Sequence, residues 1–139
     1  MVRTWLVHLS KDTCEELLHS EVLGRLGVII DGRPQVFPVT YVFDGEALIF
    51  PSNDGTKMHA ALAWPSVGFE IDGMETHGLS GWSVMVQGAA EEITDPAEIR
   101  RAAELSTASF RGGEHVRWIR IVPSEMTGRR IRAEELRAE

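Results

Sequence analysis

The sequence predicts a mainly β fold: a closed or partly closed antiparallel barrel with helices at its periphery. β-Rich runs in the first half are separated by Asp31-Gly32 and Asp44-Gly45. Such pairs are a strong hairpin signal, because tight hairpin turns need positive φ. Farther on, "GWSVMVQGAAEEI" sets Trp82, Val84 and Val86 against Ser83, Met85 and Gln87, the period of a long strand with two unlike faces. Strands joined by hairpins exclude a doubly wound parallel sheet, and an open α+β sheet is the second architecture.

The elements follow in order. "LSKDTCEELLHS" has Ser10 as N-cap and Cys14, Leu17 and Leu18 at helical spacing, which predicts a short helix. Residues 25–30, 35–43 and 46–51 are expected to form an antiparallel meander. Pro38 lies inside the second of these runs, and with no N–H to give a ladder it marks an edge or a local break. "TKMHAALAW" is a helix ended by Pro65. "SVGFEID" is a fourth strand and "GWSVMVQGAAEEI" a fifth. "TDPAEIRRAAELSTASF" starts a third helix, with Asp95 as N-cap, Pro96 as its first residue and Glu98 in its first turn. "HVRWIRIVP" is a sixth strand, followed by a short tail with "TGRRI".

At 139 residues the chain suits one domain spanning 1–139. The net charge of -7 argues against a nucleic-acid footprint, which needs a basic face. The single cysteine, Cys14, rules out an internal disulfide and reads as a small buried residue. The chain has no basic-then-apolar leader and no run of about 18 apolar residues, so a cytoplasmic protein without membrane contact is expected.

Candidate chemistry centres on "FPSNDGTKMHAAL". A helix beginning near Thr56 leaves first-turn N–H groups that favour an anion. Ser52 and Thr56 add hydroxyls and Lys57 a full charge. By itself the stretch favours an ordinary helix, capped by Ser52 or Asp54, with a solvated lysine. The neighbouring "FPVTY" shifts the balance. If it pairs with the strand ending at Phe50, Pro38–Tyr41 and Pro51–Ser52 form a wall for a flat ring beside the anion pocket. Trp82 and Ser83 offer an aromatic and a hydroxyl nearby. The five histidines lack metal-ligand spacing, so no metal site is expected. Tyr41 and His59 are candidate proton-transfer groups, and His59 and His77 are candidate haem contacts.

The ordered series "GRLGVIIDGRPQVFPVTYVFDGEALIFPSNDGTKMHAAL", "VGFEID" and "GWSVMVQGAAEEI" resembles the pyridoxamine 5′-phosphate oxidase-like flavin-binding split-barrel proteins. The resemblance is to the small actinobacterial-type branch, similar to nitroimidazole-resistance proteins, and runs from about Leu9 to Ile131. It implies a six-stranded split barrel that forms a homodimer, with FMN in a groove between subunits. Pro38, Val39, Thr40 and Tyr41 would line the isoalloxazine and ribityl chain. Pro51, Ser52, Thr56 and Lys57 would hold the phosphate, and Trp82 and Ser83 of the partner subunit would close over the ring. The oxidases proper carry an arginine where Thr56 stands, which leaves one cation for the phosphate. "TGRRI" differs from the substrate motif of vitamin B6 oxidases, so another small-molecule substrate is expected. The resemblance implies a flavin-dependent oxidoreductase, with a deazaflavin coenzyme as the alternative to FMN. A non-catalytic flavin- or haem-binding module is the alternative to an enzyme.

Overall fold

In a computed structural model of the chain, the described residues are 1–53, 55–75, 80–106 and 116–135. The N-terminal strand β1 (Val2–Leu9) leads into α1 (Lys11–Ser20). Ser10 caps α1 as expected: its backbone is extended and its Oγ accepts from the Thr13 N–H at 3.2 Å. One helical turn apart, Cys14 and Leu18 are both buried in the core. Burial pushes the Cys14 thiol above its ordinary range, so it packs as a small apolar group.

Strands β2 (Leu23–Ile30) and β3 (Arg33–Thr40) form the predicted hairpin. Asp31 and Gly32 supply the two positive φ angles, 53° and 74°, of a right-twisting two-residue turn. β4 (Val42–Phe43) pairs with β5 (Leu48–Ser52) across a second turn. There Asp44 Oδ1 accepts from the N–H groups of Glu46 and Ala47, at 2.8 and 2.7 Å. Helix α2 (Gly55–Ala63) follows, then β6 (Val67–Met74) and β7 (Gly81–Ile93). Helix α3 (Pro96–Leu105) is capped by Asp95, whose Oδ2 accepts from Glu98 N–H at 3.1 Å. β8 (Arg117–Glu135) closes the chain.

One antiparallel sheet runs in the order β3-β2-β6-β7-β8-β5-β4, with β1 added to the far half of β8. Its two edges, β3 and β4, are consecutive in the chain and separated only by Tyr41. The sheet must therefore curl until its edges nearly meet, yet no ladder joins β3 to β5. This is a barrel split along one seam. The core fills its interior with residues such as Leu26, Phe50, Phe69, Val86 and Ile121. A smaller cluster under α3 holds Ile49, Ile93, Ala102 and Trp118.

Three differences from the sequence reading have physical causes. The expected meander is broken, because among the described residues β3 ladders only with β2, whereas β5 ladders with β4 and β8. The predicted run 35–43 splits at Tyr41, whose ring turns inward and is buried edge-on to Phe69 at 4.9 Å. Its hydroxyl donates to Leu18 O at 2.7 Å, which ties the seam to α1. The "short tail" is strand through Glu135, because β1, from the other end of the chain, supplies its ladder partner. Pro38 lies on an edge strand as expected.

Candidate functional site

The strand side of the β5–α2 junction is almost wholly withdrawn from solvent. All five residues of β5 are buried, including Pro51 and Ser52, and Ser52 is 3% exposed. Each has a place in the β8 ladder, Pro51 opposite Trp118 and Ser52 opposite Arg117. The helix side is open: Thr56 is exposed and Lys57 half-buried. Lys57 Nζ lies 5.6 Å from the centroid of the Phe37 ring, within cation–π range. Phe37 belongs to β3, so the start of α2 and the β3 edge converge through a side-chain contact. The continuous wall expected from Pro38–Tyr41 and Pro51–Ser52 does not form, because these segments belong to different ladders.

Alternation along β3 divides the four candidates there. Val39 points inward with Tyr41, and both are buried. Pro38 and Thr40 are exposed on the outer face, opposite Arg25 and Leu23 of β2. Burial, with Glu21 nearby, raises the Tyr41 phenol far above its ordinary range. With its hydroxyl also committed to Leu18 O, Tyr41 is a buttress and a poor proton-transfer group.

Trp82 and Ser83 fall on opposite faces of β7. Trp82 packs against the core, where its indole lies over Gly73: a Cβ on Gly73 would come within 2.8 Å of the ring. Ser83 faces outward with Met85. Ser83 borders a cavity of about 380 Å³ at the β6–β7–β8–β1 end of the sheet. Thr56 borders a different one, about 540 Å³, with Ile29, Asp31, His59 and Trp64. Within one protomer the helix-start residues and the Ser83 strand are thus separate surfaces. His77, His115 and Asp54 lie outside the described residues. Among the described residues, no cluster of three or more histidine, cysteine, aspartate or glutamate side chains could hold a metal. Among the described residues, no helix is long and apolar enough to cross a membrane.

The outer face of β2 and β6 carries a charge cluster. Arg25 Nη1 lies 3.2 Å from both Glu70 Oε1 and Asp72 Oδ1. Burial raises the Glu70 carboxyl above the usual range, the Asp72 carboxylate adds to the rise, and Arg25 opposes it. The register Arg25↔Glu70 builds this cluster from residues far apart in sequence.

A family model described as pyridoxamine 5′-phosphate oxidase matches residues 10–130. A FAD binding protein from Mycobacterium smegmatis is 32% identical, covering 91% of this chain and 98% of its own, with a TM-score of 0.79. A FAD-binding protein from Mesorhizobium loti is 27% identical, covering 96% and 100%, with a TM-score of 0.81. A protein from Bacteroides thetaiotaomicron named for 5-nitroimidazole antibiotic resistance shares the fold, at 19% identity, coverage of 97% and 96%, and a TM-score of 0.78.

Proposed function

The chain belongs to the pyridoxamine 5′-phosphate oxidase family, and from that premise we propose that it is a flavin-dependent oxidoreductase acting on a small molecule, with FMN as its cofactor. The observation that carries this reading is the convergence of Lys57, at the start of α2, on the β3 edge. First-turn N–H groups and a lysine suit a phosphate. Beyond Pro38, the β3 edge presents backbone groups to a flat ring, because β2 is its only ladder partner among the described residues. Bound flavin would supply hydride transfer at its N5 position. The chain's own residues would hold the phosphate (Thr56, Lys57), lie along the ring (Pro38, Thr40) and exclude water from it. Val39, Tyr41, Pro51 and Ser52, all buried, would brace those outer residues from within the core.

The reading requires a homodimer. Ser83 faces away from its own barrel, so it reaches a flavin only when a second subunit presents one. Exposed apolar side chains on the outer face of this sheet, among them Val36, Met74, Met85 and Ile131, are the surface such a dimer would cover. The two relatives named as FAD-binding favour a second reading, FAD in place of FMN. A deazaflavin coenzyme fits the same phosphate and ring contacts.

Titrating the purified chain with FMN, FAD and the deazaflavin coenzyme, followed by visible absorption, tests the cofactor. Tight binding of one of them by wild type, weakened in Lys57→Ala, is the expected result. No binding of any, or unchanged binding in the variant, overturns the site. Sedimentation of the loaded protein tests the dimer.

A further inference from the structure

The cavity beside Ser83 is lined mostly from two adjacent rows of residues on the outer face of the sheet; Gly73 and Trp82 also border it, and His8 does not. One row, across β6, β7, β8 and β1, is Met74, Gly81, Ile131 and Leu6. The next, two residues along each strand, is Asp72, Ser83, Arg129 and His8. The first row is apolar and the second polar. Gly81 has no side chain, and Met74 closes over it: a Cβ there would come within 3.0 Å of Met74 Sδ and 3.1 Å of the Gly73 carbonyl oxygen, so the apolar walls of the cavity are Met74, Ile131 and Leu6. The resulting cavity is about 380 Å³, within the range of small-molecule sites.

The charges in the polar row do not cancel. The Asp72 carboxylate is engaged by Arg25 at 3.2 Å. Arg117, Arg120 and Arg130 of the same strand each face a glutamate: Glu92, Glu91 with Glu98, and Glu75. Among the described residues, Arg129 has no carboxylate partner. In a chain of net charge -7, this leaves a guanidinium beside a hydroxyl at the rim of an apolar hollow. A guanidinium binds a carboxylate through two parallel N–H···O bonds, and the neighbouring hydroxyl adds a third donor.

We propose that this cavity binds the substrate, and that the substrate is an organic carboxylate with a compact apolar body: the carboxylate on Arg129 and Ser83, the body against Met74, Ile131 and Leu6. The assignment rests on the flavin reading, which puts Ser83 beside the ring of a cofactor held by the facing subunit.

Benzoate and benzamide differ in charge and little else, and serve as probes. Calorimetric titration of the flavin-loaded chain is expected to show benzoate binding roughly tenfold tighter than benzamide. Arg129→Gln is expected to erase that preference, and Arg132→Gln, on the other face of β8, to preserve it. Ile131→Ala strips an apolar wall from the cavity and is expected to weaken both probes. Equal binding of the two probes to wild type, or a preference that survives Arg129→Gln, overturns the proposal. The wild-type comparison decides even if a variant does not fold. Flavin affinity is measured on the same samples. A chain that binds flavin but shows no carboxylate preference refutes the substrate class alone, and a chain that binds no flavin refutes the cofactor reading. If Arg129→Gln weakens flavin binding as much as benzoate binding, the arginine serves the cofactor. If it weakens self-association while leaving benzoate unchanged, the face is a subunit contact. Either result also overturns the proposal.

Discussion

The β5–α2 junction and the hollow at Gly81 differ in how they are assembled. The junction comes from one stretch of chain: a strand buried at every position is followed within a few residues by a helix that exposes Thr56 and half-exposes Lys57. The hollow comes from four strands, with contributors as distant as Leu6 and Ile131. At the junction the inner residues are fixed by packing and the outer ones are left for a ligand. At the hollow, register alone decides which residues stand together. Substitutions at the junction should therefore divide between stability and binding according to depth. Substitutions of exposed residues at the hollow, such as Arg129, should affect binding and leave stability nearly unchanged.

The largest expected effect tests the buried half of the junction. Phe50→Ala removes a ring that is 1% exposed in the main core, and should cost about 3–5 kcal/mol in chemical denaturation. A loss below about 1 kcal/mol, typical of surface substitutions, would mean that β5 is not the rigid side of the site. Next comes Lys57→Ala, which should weaken flavin binding by roughly tenfold to a hundredfold, the scale of a charge-assisted hydrogen bond, with little change in melting temperature. Equal losses in binding and stability would blur the division. Tyr41→Phe is expected to cost about 1 kcal/mol through the lost bond to Leu18 O and to leave flavin affinity unchanged. Altered affinity would return Tyr41 to the site.

The smallest effect concerns the charge cluster next to the hollow. The folded state holds the Glu70 carboxyl above its ordinary range, chiefly by burial. As pH rises, the unfolded chain ionises first, so ionised Glu70 costs the folded state stability, and that cost vanishes when pH falls below both values. Comparing Glu70→Gln with wild type across the carboxylate range should show wild type gaining relative stability as the pH is lowered. A gain in the opposite direction would mean that the Arg25 pair outweighs burial.

Much of the fold could be read locally. Ser10 and Asp95 announce helix starts because their side chains accept the first-turn N–H groups. Asp31-Gly32 announces a hairpin because few other residues adopt its φ angles. Pro38 signals an edge because it cannot complete a ladder. The candidate site was legible only where it shares this local character, at Thr56 and Lys57. Trp82 and Ser83 read as a pair in sequence but are divided by the pleat. The strand character of Val2–Leu9 was missed, since its only partner lies more than a hundred residues away. Arg129 was read as part of a charged tail. A search for arginines aligned with an alternating strand would have singled it out, but not the cavity it borders.

The sequence by itself determined the turns, the caps, the two faces of β7 and the cation at the head of α2. These depend on backbone φ angles, orphan hydrogen-bond donors and the two-residue period, all settled within a few residues. Only the tertiary structure decided that β5 lies beside β8 rather than β3, that the sheet splits at Tyr41, and that Gly81, Ser83 and Arg129 share one face. A strand's free N–H and C=O groups accept any partner of compatible register. The choice falls to whichever arrangement buries the most apolar surface across the whole barrel.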